Sequence, residues 1–148
     1  MEQVLLALGL VVVAVIVAAV LRRRQPSAAP TQPRFRAPAQ LDRADFPRPE
    51  APYLVVAFTS STCHTCAAMA AKAAVLQSDQ VSVAEVDVTE QPDLHQKYAI
   101  EAVPMVLVAD AAGVVGARFI GPASATDLWA AVAELRRPGC SPEPDLGH

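Results

Sequence analysis

Three cysteines occur among 148 residues, and two of them stand two residues apart in Ser60-Ser61-Thr62-Cys63-His64-Thr65-Cys66. A pair at this spacing supports two chemistries. It closes a small disulfide ring whose first sulfur stays open to attack, or it forms half of a zinc site. Structural zinc takes about four ligands, and the other candidates are poorly placed. His64 lies inside the motif, His95 falls on a short expected helix, and Cys140 and His148 sit near the end of the chain. No second C-x-x-C exists. The context of the motif, rather than its spacing, therefore favours a redox pair over a metal site, and no cofactor is expected. Cys63 would be the exposed nucleophile, and Cys66 the sulfur that resolves a mixed disulfide formed on it. His64, when protonated, would stabilise a Cys63 thiolate, and Thr65 could donate a hydroxyl hydrogen bond to the same sulfur.

Such a pair needs a helix start, where unpaired N–H groups and the positive end of the helix dipole favour a thiolate. The surrounding pattern supplies one. Tyr53–Thr59 is a β-branched and aromatic run that reads as a strand buried on both faces. Alanine-rich Cys63 to about Gln77 reads as a helix. Val81–Val88 is a second strand, and Gln91-Pro92-Asp93 opens a short helix to Tyr98. Met105–Ala109 is a third strand, joined by Ala111-Ala112-Gly113 to a fourth, Val114–Ile120. Ser124 is the expected N-cap of a final helix, Ala125 to Arg136, with Leu128, Trp129, Val132 and Leu135 on one face. This order implies a parallel βαβ unit joined to an antiparallel hairpin, with helices on both faces of a mixed sheet.

From Tyr53 to Arg136 this arrangement resembles the thioredoxins: strand, C-x-x-C, helix, then Tyr98-Ala99-Ile100-Glu101-Ala102-Val103-Pro104, which is similar to the family's approach to its cis-proline. The resemblance implies an α/β thioredoxin-like fold and thiol–disulfide oxidoreductase activity. It implies a cis Val103–Pro104 bond beside the cysteines, the Val103 backbone available to an incoming peptide, and Gly121 beside the substrate groove. Several positions depart from the family pattern. Thr62 stands for the tryptophan before the first cysteine, His64-Thr65 for Gly-Pro, and Met105 for the threonine after the proline. Ala57 replaces the buried aspartate on the preceding strand, and Glu85 replaces the accompanying lysine. Glu85 could then supply the missing carboxylate from the neighbouring strand, provided that it is buried and its pKa thereby raised.

With a formal net charge of -3, nothing suggests a nucleic-acid partner, which would call for a basic face. Val4 to Leu21 is uninterruptedly apolar and as a helix would extend about 27 Å, close to a bilayer's hydrocarbon thickness. No positive residue precedes this run and Arg22-Arg23-Arg24 follows it, the reverse of a cleaved signal peptide. Residues 1–24 are therefore expected to be a single-pass anchor with its basic flank, in contact with the lipid bilayer. Residues 25–50 would form a proline-rich spacer whose later part, with Leu41 and Phe46, adds a short strand or turn to the domain. The domain is expected over 51–137, with a disordered tail over 138–148. The arginines after the apolar run place the domain on the cytoplasmic side of the cell membrane, although many tethered relatives face the extracytoplasmic side. The expected partners are disulfide-containing or dithiol proteins and an electron donor such as a thioredoxin reductase or a membrane thiol carrier. The rival functions are a copper or zinc carrier using Cys63, Cys66 and His64, and a non-catalytic adaptor that kept the fold.

Overall fold

The computed structural model describes residues 35–140. Its strands are β1 (Tyr53–Thr59), β2 (Val81–Asp87), β3 (Met105–Ala109) and β4 (Val115–Ile120). Its helices are α1 (Cys66–Ala74), α2 (Pro92–Lys97) and α3 (Ala125–Arg136), preceded by a 3-10 turn at Arg43–Asp45. The sheet order is β2-β1-β3-β4, with β1 parallel to β2 and antiparallel to β3, and β3 antiparallel to β4. Parallel unit, hairpin and flanking helices stand as the sequence pattern predicts.

β1 and β3 are central, which explains why both are apolar without alternation. Their side chains divide by strand period between two cores. Val55, Ala57, Val106 and Val108 face Met69 and Ala73 of α1 and Leu128 and Val132 of α3. Leu54, Val56, Phe58, Met105 and Leu107 face the other way, toward Tyr98, Leu41 and Phe46. Trp129, expected on the inner face of the last helix, is 50% exposed. Leu128 and Val132 complete that contact and leave the indole outside. α3 starts where expected: Ser124 and Asp127 form a reciprocal capping box.

The segment before β1 is more than a spacer. Leu41, Phe46 and Ala51 are buried, and Gln40 bridges to Val114. The packed unit thus begins about ten residues before the expected boundary at 51. It does so because Arg43 turns inward: its guanidinium donates to the carbonyls of Asp110 (2.8 Å), Ala51 (3.0 Å) and Arg48 (3.3 Å). Leu41 N–H donates to the carbonyl of Gly113 at 2.8 Å. Gly113 has φ +81°, and a Cβ there would lie 2.0 Å from the Leu41 oxygen, so this docking requires glycine. The candidate span, residues 4–21, and the tail beyond residue 140 lie outside the described residues. Among the described residues no helix is long and apolar enough to cross a membrane.

Candidate active site

β1 delivers the chain at Thr59 into a tight turn rather than directly into a helix. Cys63 N–H donates to the carbonyl of Ser60 (3.0 Å), and Thr62 N–H to the hydroxyl of Ser60 (3.3 Å). Serine and threonine hydroxyls that hold nearby backbone groups compete with helix formation. α1 therefore starts at Cys66, three residues later than expected, with Thr65 as N-cap. Its C-terminal end also falls short of Gln77, whose side chain instead accepts from Val83 N–H at 2.9 Å.

Cys63 and Cys66 are joined as a disulfide, with Cα atoms 5.4 Å apart. Cys66, at the first helical position, is buried at 2% exposure, whereas Cys63 is half-buried. This asymmetry matches an accessible first sulfur and an enclosed second one. The bond itself holds the Cys63 sulfur beside the helix N-terminus that its own backbone does not join. The Thr65 hydroxyl lies 3.5 Å from Cys63 Sγ, the contact anticipated for it, and His64 is exposed.

The Val103–Pro104 bond is cis, and Pro104 is buried with Val103 half-buried beside it. Phe58, at the end of β1, pairs with Met105, so Pro104 enters β3 at the same end of the sheet from which the cysteine turn leaves β1. Gly121, at φ +88°, donates its N–H to the Pro104 carbonyl at 2.8 Å. The positive φ turns the chain back toward the proline and favours glycine. Cysteine turn, proline segment and glycine segment thus gather at one pole of the sheet.

Glu85 does not meet the condition of burial on which its role as a carboxylate depends, and it stands with the alternative that it faces solvent. It pairs with Ala57 across β1 and β2, yet it is exposed and accepts a hydrogen bond from Thr59 Oγ1 at 3.1 Å. β2 is the sheet edge, so its side chain extends past the cover of α1. Between that helix and β2 a recess of about 250 Å³ opens, bordered by Ala57, Ala70, Ala73, Ala74 and Glu85. Alanine side chains are too short to fill it. Thr59, with its place next to Glu85, was not singled out by sequence; strand alternation alone would have put it beside a β2 residue of unknown register. Two α1 side chains, Met69 and Lys72, likewise reach the Gly121 segment without any sequence motif to announce it.

Among the described residues no three His, Cys, Asp or Glu side chains come together to hold a metal ion. Cys140 is exposed and free, its Sγ donating to the Ala133 carbonyl at 3.2 Å.

The comparisons agree with this geometry. The thioredoxin family model matches residues 45–134. Its start falls inside the Arg43–Asp45 turn, consistent with the arm being part of the domain. A malarial protein of known structure is 20% identical, with a TM-score of 0.52 over 56% of this chain and 96% of its own. The X-ray structure of Fasciola hepatica thioredoxin is 27% identical, with a TM-score of 0.50 over 58% of this chain and 83% of its own. No curated protein sequence matches the chain. With the sheet order, the disulfide at the start of α1 and the cis-proline in place, the family match makes this chain a member of the thioredoxin family.

Proposed function

We propose that this protein is a membrane-tethered thiol–disulfide oxidoreductase that reduces protein disulfides through Cys63 and Cys66. The observation that carries the reading is the pair itself: an accessible sulfur bonded to a buried one at a helix N-terminus, at the pole where the cis-proline lies. In the reduced state the Cys63 thiolate attacks one sulfur of a substrate disulfide. A mixed disulfide forms and one substrate thiolate leaves. The Cys66 thiolate then attacks Cys63 Sγ, which closes the 63–66 disulfide and releases the second substrate thiolate. Two electrons pass to the substrate, whose thiolates take up protons from solvent. A dithiol donor, such as a thioredoxin reductase or a membrane thiol carrier, reverses the change on the enzyme.

The reductase direction and the tether rest on sequence. The apolar run 4–21 suits a single span, and the arginines after it favour a cytoplasmic domain. That compartment keeps thiols reduced. Val103 and Gly121 would line the groove that receives the substrate peptide. The test is insulin reduction by the full chain with dithiothreitol as electron donor. Cys63→Ser abolishes turnover, and Cys66→Ser accumulates a mixed disulfide at Cys63 that is visible by mass spectrometry. Absence of turnover by the wild-type chain overturns the proposal.

A further inference from the structure

Two side chains of α1 end on the two backbone groups of a single loop residue, Ala123. Met69, one turn beyond Cys66 and 1% exposed, accepts the Ala123 N–H on its Sδ at 3.2 Å. Lys72, one turn farther, donates from Nζ to the Ala123 carbonyl at 2.8 Å. Met69 also packs in the core that α1 covers, whereas Lys72 is not a residue an apolar helix face calls for. A thioether is a weak acceptor, and an ammonium is strongly hydrated and loses rotamer freedom when held. Ala123 is itself buried at 5% exposure, so its backbone groups need partners that water does not readily supply.

The loop seized in this way starts at Gly121, which bonds to Pro104, and ends at Ser124, the cap of α3. Met69 and Lys72 join it to the helix that carries Cys66. The redox helix, the Gly121 loop and the proline segment are therefore joined in series by hydrogen bonds at this pole of the sheet.

We infer that Met69 and Lys72 are positioning residues that latch the Gly121–Ser124 loop to the redox helix and so fix the width of the groove between Gly121 and the cysteine pair. This rests on the oxidoreductase reading and deepens it. The latch acts on the docking of a macromolecular disulfide, which must lie along the groove. It does not act on the exchange chemistry, which a small disulfide reaches without touching the loop.

The test uses the full chain with Cys140→Ser as the common background and two probes, insulin with dithiothreitol as donor and, in a single turnover of the prereduced Cys63–Cys66 pair, the small disulfide dithiobis(nitrobenzoate). Lys72→Met keeps the aliphatic stem and removes the donor, and Met69→Leu keeps the volume and removes the acceptor. Each raises the insulin KM about two- to tenfold, the net worth of one hydrogen bond, and leaves the small-disulfide rate within about twofold. Lys72→Arg, which still donates to a carbonyl, restores the insulin KM. An unchanged insulin KM overturns the latch, as does an equal loss on both probes. If Lys72→Met does not fold, as judged by its thermal transition, Met69→Leu decides alone by the same criteria. A wild-type chain that turns over neither probe removes the oxidoreductase reading and the latch with it, an outcome distinct from a wild type active on both whose variants show no split.

Discussion

His64 and Thr65 occupy the two positions between the cysteines, and each offers the Cys63 sulfur something different. Thr65 offers a fixed dipole at 3.5 Å. His64 offers an imidazole held in solvent. An exposed ion pair is worth about 0.2–1 kcal/mol. Because about 30 mV corresponds to 1.4 kcal/mol in a two-electron couple, His64→Ala should lower the reduction potential by roughly 5–20 mV. Equilibration against dithiothreitol measures it, and a potential that does not move removes His64 as a tuning residue. Glu85 invites the opposite expectation. Exposed and held by Thr59, it lacks the burial that would fit a carboxyl for proton transfer. Glu85→Gln still accepts from Thr59 and should leave the exchange rate and its pH profile within about twofold. A profile displaced toward either side would restore it to the mechanism.

Among the elements, the arm before β1 departs furthest from its sequence reading. Strands and helices announced themselves through apolar runs, alanine content, Pro92 at a helix start and the Ser124 cap, because these signals are local. Leu41 and Phe46 are single apolar residues among prolines with no period to reveal the face they bury. Arg43 gives no hint of burial, since all its acceptors are backbone carbonyls, one of them Asp110 at the far hairpin. The cysteine pair and cis-proline were legible as a motif. Whether Glu85 is buried or faces solvent stayed open, because that depends on β2 being the edge strand. The arm is pinned a second time at Asp45, which accepts from Lys97 Nζ at 2.7 Å and from the Tyr98 hydroxyl, while Asp42 N–H donates to that same hydroxyl at 3.0 Å. The Lys97 bond, then the Tyr98 bond, holds the Asp45 carboxyl below the usual carboxylate range. Its contribution is present above about pH 4, where an unfolded carboxylate is charged, and is lost as pH falls through the depressed folded value. The bond to Asp45 raises Lys97, and burial followed by the Asp45 bond raises Tyr98. Those contributions are complete below about pH 10 and fade as pH rises through the folded values. Asp45→Asn should therefore lower stability at neutral pH and flatten the acid limb, measured by urea midpoints from about pH 3 to about pH 7. A parallel loss at every pH would show that the carboxylate charge is not what holds the arm.

The whole domain has two poles, and the described arm packs at one of them. β1 runs from Tyr53 toward the cysteine turn, and its first end pairs with Ala109, where β3 enters the Asp110–Gly113 turn. Val115 N–H donates to the Ala39 carbonyl at 3.0 Å, and the Gln40 side chain donates to Ala112 at 2.6 Å. The N-terminal segment thus leaves the domain at the pole opposite Cys63 and Cys66. If residues 4–21 anchor the chain, the described arm is joined at the pole opposite the redox pair, so the anchor's connection does not obstruct partners that approach that pair from solution. Which solution it faces can be read from the third cysteine. With Cys63 and Cys66 oxidised, Cys140 is the one free thiol in the sequence and is exposed. A membrane-impermeant maleimide should therefore report the position of the domain with no engineered residue. Inverted vesicles, whose cytoplasmic face is outward, should label at Cys140, and right-side-out vesicles only after lysis. Labelling with the reverse sidedness would place the domain outside the cytoplasm and remove the compartment argument for a reductase, while labelling of a soluble fraction alone would remove the anchor.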